Sequence, residues 1–316
     1  MIIKTSQIRT FWLDEPSEYF MQNTALAMGN FDGIHIGHSK ILEELSRIAR
    51  EKNLTPILLT FDPHPRIFFG ENFYLLSTVY ERELLLRKFA LPIIVHIRFN
   101  EKLANTSYRD FVERYLVESL DAKLVIIGYD HHFGKNRDGN PQALSRLGEK
   151  LGFETIVMNP VLHNGVEVKS NLIRQLIAQG RIERANEFLG HPYLVVGKVE
   201  AGRGLGKQIG YPTANLSLQS YKLLPPDGVY YAKTYLADWK KAYDSIVYIG
   251  RAPTFNLPQK MFETHIFDYD GKPLYGKYIG VELIKFIRED RYFRTVEELK
   301  AQIDRDAEKA KELGNM

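Results

Sequence analysis

Short apolar runs alternate with helix-period segments through roughly the first 185 residues, and this alternation limits the possible topologies more than any other feature of the chain. The runs Ala25–Met28, Ile57–Phe61, Ile93–Phe99, Leu124–Gly128 and Thr155–Met158 suit strands and are too short for core helices. Between them, SKILEELSRIAREKN places Ile41, Leu42, Leu45, Ile48 and Ala49 on one helix face. SYRDFVERYLVESL opens with Ser107 and Asp110 at helix-start spacing and turns Phe111, Leu116 and Leu120 inward. Such β-α alternation predicts a parallel sheet covered by helices, with ligands at the carboxyl ends of the strands.

Beyond about residue 186 the pattern changes. LVVGKVEAG, GVYYAKTYLA, DSIVYIG, FETHIFDYD and KYIGVELIKFI are β-rich, aromatic and punctuated by Gly and Pro. A long helical pattern returns only in TVEELKAQIDRDAEKAKEL, where Thr295 and Glu298 form a capping box and Val296, Leu299, Ile303 and Ala307 share a face. The expectation is a small antiparallel barrel closed by a helix. The change near FLGHPYLVVG divides the chain into domains of residues 1–185 and 186–316.

The 42 basic and 39 acidic residues leave a net charge of +3, too balanced for a nucleic-acid binder but compatible with anionic small ligands. The apolar runs reach about six residues against the roughly 20 that span a bilayer, and the first residues do not resemble a signal peptide. A soluble chain with no membrane partner is expected. The chain has no cysteine, which excludes disulfide and thiolate chemistry and fits a reducing cytoplasm.

GNFDGIHIGH, residues 29–38, follows the first apolar run. It matches neither G-x-x-x-x-G-K-[ST] nor G-x-G-x-x-G. His35 in the loop and His38 at the helix start can donate to phosphate oxygens beside a helix N-terminus, and Gly33 and Gly37 permit close backbone approach. A Gly-rich turn with a histidine cap is the plainer reading, and scattered partners argue against zinc. In the second half, GRGLGKQIGYPTANLSL contains G-x-x-x-G-K, one residue short of a P-loop and followed by no helix pattern. Taken alone, PTAN reads equally well as a strand end and a turn cap.

In combination these stretches say more. Strand, G-x-F-D-G, H-x-G-H and helix in that order resemble the nucleotidyltransferase superfamily with an H-x-G-H signature. TFDPHPRIFF (60–69) and IGYDHHFGKNRDGN (127–140), at later strand ends, narrow the likeness. The first half resembles the FMN adenylyltransferase module of the bacterial bifunctional riboflavin kinase/FAD synthetase family. The resemblance implies that His35, His38 and Arg174 are catalytic. It implies that Gly29, Phe31, Asp32, Gly33, Ser170 and Asn171 bind ATP, and that Asp62, His64, Pro65 and Asp130 bind flavin. The family usually carries I-S-S-T-x-I-R where this chain has VKSNLIR, so Ser170, Ile173 and Arg174 match while Lys169 and Asn171 depart. His131 and His132 stand where an aromatic residue and an arginine are common.

The second half resembles the riboflavin kinase module through PTAN, PPDGVYYAK, YIGRAPTF, FETHIFDYDGKPLYG and IREDRYFRTVEEL. That resemblance implies a flap in which Gly202, Gly204, Gly206 and Lys207 cradle ATP. It also implies Thr213 and Asn215 on Mg²⁺, Glu263 as base and Arg288 at the flavin. The implied fold is a Rossmann-like α/β nucleotidyltransferase domain with a parallel sheet, followed by a six-stranded antiparallel β-barrel with a terminal helix. The implied activity makes FMN from riboflavin and MgATP, then FAD from FMN and a second ATP. The alternative is a kinase whose first domain is a degenerate or regulatory flavin or nucleotide binder. A class I tRNA synthetase fragment is disfavoured, because no K-M-S-K-S-like segment is present. Small-molecule substrates, no nucleic acid, and a monomer or weak homo-oligomer complete the expectation.

Overall fold

The structure is a computed structural model that describes residues 8–17, 20–89, 91, 93–202, 205–251, 260–270 and 272–314. Its contacts divide the chain into two compact units. One holds Tyr74–Glu81 together with the described residues from Ser170 onward, and the other holds the described residues up to Phe73 with Arg82–Lys169.

The second of these units is built on a six-stranded sheet. Its strands are β1 (Arg9–Leu13), β2 (Thr24–Met28), β3 (Thr55–Asp62), β4 (Ile93–Arg98), β5 (Ala122–Gly128) and β6 (Glu154–Met158), in the order β1-β4-β3-β2-β5-β6. Every pairing is parallel. β2 is buried along its whole length, as a strand covered on both faces must be, which is why it reads as an uninterrupted apolar run. Helix α1 (Ile36–Glu51) covers one face with Leu42, Leu45, Ile48 and Ala49, while Ile41 is half-buried. Phe111, Leu116 and Leu120 pack on the other face with Leu26, Met28, Leu59, Val95 and Val125.

Further helices in chain order are α2 (Pro65–Phe68), α3 (Val79–Leu86), α4 (Glu101–Ala104), α5 (Tyr108–Phe111) and α6 (Pro141–Leu151). Ser107 caps α5 by accepting the Asp110 N–H, as its spacing predicts, but the chain then widens into a π-helix over Val112–Ser119. The Ser119 hydroxyl donates to the Arg114 carbonyl five residues back, a bond that suits the wider turn (2.7 Å). A two-stranded hairpin, β7 (Leu162–His163) and β8 (Val166–Glu167), closes this unit.

The other unit begins its main run with α7 (Ser170–Ala178) and α8 (Ile182–Leu189). It continues as a closed antiparallel barrel of β9 (Tyr193–Glu200), β10 (Ala214–Ser217), β11 (Gly228–Tyr235), β12 (Ala242–Gly250), β13 (Met261–Ile266) and β14 (Tyr278–Glu289). A short helix α9 (Leu205–Gln208) precedes β10, and α10 (Val296–Gly314) follows β14. Thr295 caps α10 by accepting the Glu298 N–H at 3.2 Å. Ala307 and Ala310 of α10 pack on Val229, Tyr231, Ile246 and Ile287. Val296, expected on the inward face, is 47% exposed, because the buried stripe begins a turn later and runs through Asp306.

Candidate active sites

In the sheet unit, β2, β3 and β5 are neighbours, and β5 lies on the opposite side of β2 from β3 and β4. The strand order therefore reverses beside β2, where an open α/β sheet forms its ligand crevice. Gly29, Phe31, Asp32, Gly33 and His35 fall in the β2–α1 turn, and His38 lies in the first turn of α1. Asp62, His64 and Pro65 follow β3, and Asp130 follows β5.

The β2–α1 turn is tightly determined. Gly29 N–H donates to the Leu59 carbonyl at 3.1 Å. Phe31 and Ile34 both hold left-handed backbone, at φ 49° and 41°, and both are fully packed. For a β-branched residue this is strained, and such strain persists only where the surroundings over-determine it. Those surroundings include Arg82, which no sequence motif flagged, and Thr60, the first residue of TFDPHPRIFF. Arg82, 4% exposed, donates through Nη1 to the Asn30 carbonyl at 2.7 Å, and the Thr60 hydroxyl donates to the same oxygen at 3.3 Å.

His35 is the N-cap of α1. Its Nδ1 accepts the His38 N–H at 3.2 Å, which leaves the proton of the neutral ring on Nε2 as a donor. The two imidazoles stack with centroids 3.6 Å apart and planes 13° from parallel, and Phe31 flanks His38 at 5.0 Å. Gly37 leaves room for the stack, because a Cβ there would press on the His35 ring at 3.1 Å from Cε1. The turn thus combines a helix N-terminus with two imidazoles, an arrangement suited to phosphate oxygens.

His64 caps α2 by accepting the Arg66 N–H at 3.1 Å and lies 4.6 Å from the Phe73 ring. Asp130 is exposed, 3.9 Å from Lys169, which also pairs with Glu167 at 3.1 Å and sits over the Tyr129 ring. His131, stacked against Phe133, is pushed down to about 4 by burial, with His132 and Arg137 adding to the effect.

Ser170, Asn171 and Arg174 lie on α7 in the barrel unit. Arg174 donates through Nε to the Tyr74 carbonyl at 3.1 Å and through Nη1 to Asn171 Oδ1 at 3.1 Å. The departure at residue 171 therefore has a use here: its amide oxygen braces the guanidinium and its NH₂ remains a donor.

A cavity of about 970 Å³ opens between the barrel wall and α10, and its lining includes Gly202, Gly206, Thr213, Asn215, Glu263 and Arg288. Asn215 pairs with Glu263 across β10 and β13, which places both side chains on one face. Thr213 donates its hydroxyl to Glu263 Oε2 at 3.3 Å, and Asn215 also donates to that carboxylate. Burial pushes the Glu263 carboxyl up, and these two hydrogen bonds partly oppose the shift. Gly202 is required for close approach, since a Cβ there would run into the Asn215 amide nitrogen. Gly204 and the Lys207 side chain lie outside the described residues, as do residues 252–255 of YIGRAPTF.

With its NH₂ turned to Glu263, Asn215 presents Oδ1 for a cation, and Thr213 Oγ1 keeps its lone pairs. Two neutral oxygens of this kind fit Mg²⁺, which is hard and binds largely through water and phosphate oxygens. Arg288 is held by Asp306 of α10, through Nε at 3.1 and 2.9 Å and Nη2 at 2.8 Å, and its Nη1 donates to the Glu289 carbonyl. Asp306 is 3% exposed. This counter-ion was not identified from the sequence, where the available signal was an aspartate on the buried face of α10.

Comparison with known proteins agrees with this division of labour. The FAD synthetase family model matches residues 18–172, and the riboflavin kinase family model matches residues 189–314. The bifunctional riboflavin kinase/FMN adenylyltransferase of Buchnera aphidicola subsp. Schizaphis graminum is 33% identical over 299 residues, covering 93% of this chain and 95% of that protein. The protein of the same name from Bacillus subtilis is 30% identical over 313 residues, covering 96% and 97%. A crystal structure of a protein from Streptococcus pneumoniae, called a macrolide-efflux protein, aligns with a TM-score of 0.82 at 27% identity, covering 96% of this chain and 98% of its own. That name concerns the streptococcal protein; among the described residues here no helix is long and apolar enough to cross a membrane. With both halves matched and relatives aligned nearly end to end, the chain belongs to the bifunctional riboflavin kinase/FMN adenylyltransferase family.

Proposed function

We propose that this chain makes FAD from riboflavin in two ATP-dependent steps, the first in the barrel and the second centred on the β2–α1 turn. The observation that carries the first is the convergence of Thr213, Asn215 and Glu263 on one cavity. Glu263 accepts the proton of the ribityl 5′-hydroxyl. The resulting oxygen attacks the γ-phosphorus of ATP, the bond to ADP breaks, and FMN forms. Thr213 Oγ1 and Asn215 Oδ1 would hold Mg²⁺, which supplies charge neutralisation at the phosphate oxygens. Gly202, Gly204, Gly206 and Lys207 are assigned to the ATP phosphates, and Arg288, oriented by Asp306, to the flavin.

In the second step an FMN phosphate oxygen attacks the α-phosphorus of another ATP and pyrophosphate leaves. His35 and His38 donate to the oxygens that gain charge. Gly29, Phe31, Asp32 and Gly33 shape the nucleotide side of the turn, and Asp62, His64, Pro65 and Asp130 are assigned to the flavin. Ser170, Asn171 and Arg174 are assigned to the triphosphate, for which a hydroxyl, an amide and a guanidinium fork are suitable donors. We place the chain in the cytoplasm as a monomer or weak homo-oligomer, with domains of residues 1–185 and 186–316; the absence of cysteine is compatible with that compartment.

The test is to incubate the protein with riboflavin and MgATP, then with FMN and MgATP, and to resolve the flavins by chromatography. FMN followed by FAD is expected. FMN without FAD would reduce the chain to a kinase, and no flavin product from folded protein would sink the proposal.

A further inference from the structure

Within the barrel unit, three consecutive residues connect Arg174 to the wall of the kinase cavity. Tyr74 offers its carbonyl to Arg174 Nε at 3.1 Å. Leu75 donates its N–H to the Tyr221 carbonyl at 2.8 Å and accepts the Leu223 N–H at 2.9 Å. Leu76 accepts from Lys222 Nζ at 2.7 Å. The facing stretch contributes Gln219, Ser220, Lys222 and Leu224 to the cavity lining.

The strip is fixed by an ion pair that is almost wholly enclosed. The Lys222 and Glu81 side chains are 1% and 0% exposed, with Nζ 2.8 Å from Oε2. Nζ also donates to the Leu194 carbonyl at 2.7 Å, so that with Glu81 and Leu76 all its donors are used, and it lies 4.2 Å from the Tyr193 ring centroid. Glu81 accepts the Val196 N–H at Oε1 and the Thr78 N–H at Oε2, each at 2.7 Å.

A buried pair of this kind adds little net stability, because desolvating both charges offsets their attraction. Its better-attested use is to specify one arrangement among several. Here it sets the register of residues 74–76 against 221–223. A slip of one residue would displace the Tyr74 carbonyl by about 3.3 Å, beyond reach of Arg174 Nε.

The geometry points to Glu81 and Lys222 as positioning residues for adenylyl transfer: together they hold the Tyr74 carbonyl that aims Arg174. This rests on the role assigned to Arg174 above. It means that a lysine in the kinase half of the sequence, paired with a glutamate of the first half, serves the adenylylation reaction.

The test uses the full chain and a double-mutant cycle, with folding followed by circular dichroism and adenylyl transfer by pyrophosphate release from FMN and MgATP. The pair is removed jointly by Glu81→Gln with Lys222→Met, which leaves no uncompensated buried charge. Arg174→Ala is expected to lower kcat/KM at least about tenfold, and the pair variant at least about fivefold, mainly through KM for ATP. Combining them should give no greater loss than Arg174→Ala alone, because residues acting through a shared group are non-additive. An additive loss, or an undiminished pair variant, would overturn the inference while leaving the role of Arg174 intact. An undiminished Arg174→Ala would instead remove the reading beneath it. Should the pair variant fail to fold, hydrogen exchange on the unaltered chain decides: Leu75 and Leu223 amides should exchange together, and a Leu75 amide exchanging far faster than Leu223 would refute the tie.

Discussion

Thr213 donates its hydroxyl to Glu263 across 3.3 Å, linking the residue before β10 to the middle of β13 in the wall of the cavity beside the barrel. Together with Asn215 it stabilises the carboxylate that burial disfavours. Glu263, the proposed kinase base, is therefore held above its ordinary value of 4.5 without being left unpartnered.

Glu263→Gln should lower the kinase kcat by about 10²–10⁴-fold and leave FMN adenylylation unchanged. It should also stabilise the fold near neutrality. The folded-state value is raised, so this group's contribution is complete below about 4.5 and is lost as pH rises through the folded value. Melting temperatures of the variant and the parent should converge in acid and separate, with the variant higher, as pH increases. A parent that melts higher at neutral pH would contradict this.

Gly202→Ala tests the same wall from outside. The new methyl must displace the Asn215 amide, and with it the donor to Glu263. Kinase kcat should fall about 10²-fold, with adenylylation retained. Asn215→Asp should act similarly, because a second carboxylate raises the Glu263 pKa further and removes a hydrogen bond. Chromatography of products from riboflavin and from FMN separates the two activities.

His38→Ala should reverse the pattern, lowering pyrophosphate release with FMN by about 10²–10³-fold while riboflavin phosphorylation continues. Gly37→Ala should give a milder loss, about tenfold, since its methyl presses on His35 at 3.1–3.2 Å and disturbs the stack without removing either imidazole. Loss of both activities in folded His38→Ala would contradict two independent sites.

His131 should stay neutral throughout the physiological range. Its folded value is pushed down to about 4, so the stability it contributes is present above about 6.5 and lost as pH falls through 4. His131→Phe should flatten acid unfolding across that window, and the imidazole resonances of His131 should show no titration between pH 5 and 8 by NMR.

Legibility in the sequence followed burial. β2 through β5 read as strands because nearly every side chain is enclosed, leaving little polar interruption. β1 did not, because it is an edge strand with exposed Arg9 and Trp12. β10 escaped notice because it has four residues and begins inside PTAN, where turn chemistry is equally plausible. Family resemblance singled out Thr213, Asn215 and Glu263, and the H-x-G-H spacing singled out His35 and His38; the structure brings the first three together and stacks the two imidazoles. Arg82, Asp306, Glu81 and Lys222 could not be found in this way. Each acts on a residue that only tertiary folding brings near.

Asp306 gives Arg288 its counter-ion from α10. The same helix contributes Leu299, Ile303 and Asp306 to the cavity wall. A chain truncated before Val296 would therefore keep every residue of the six barrel strands, yet leave the guanidinium without its carboxylate and the cavity without one of its sides.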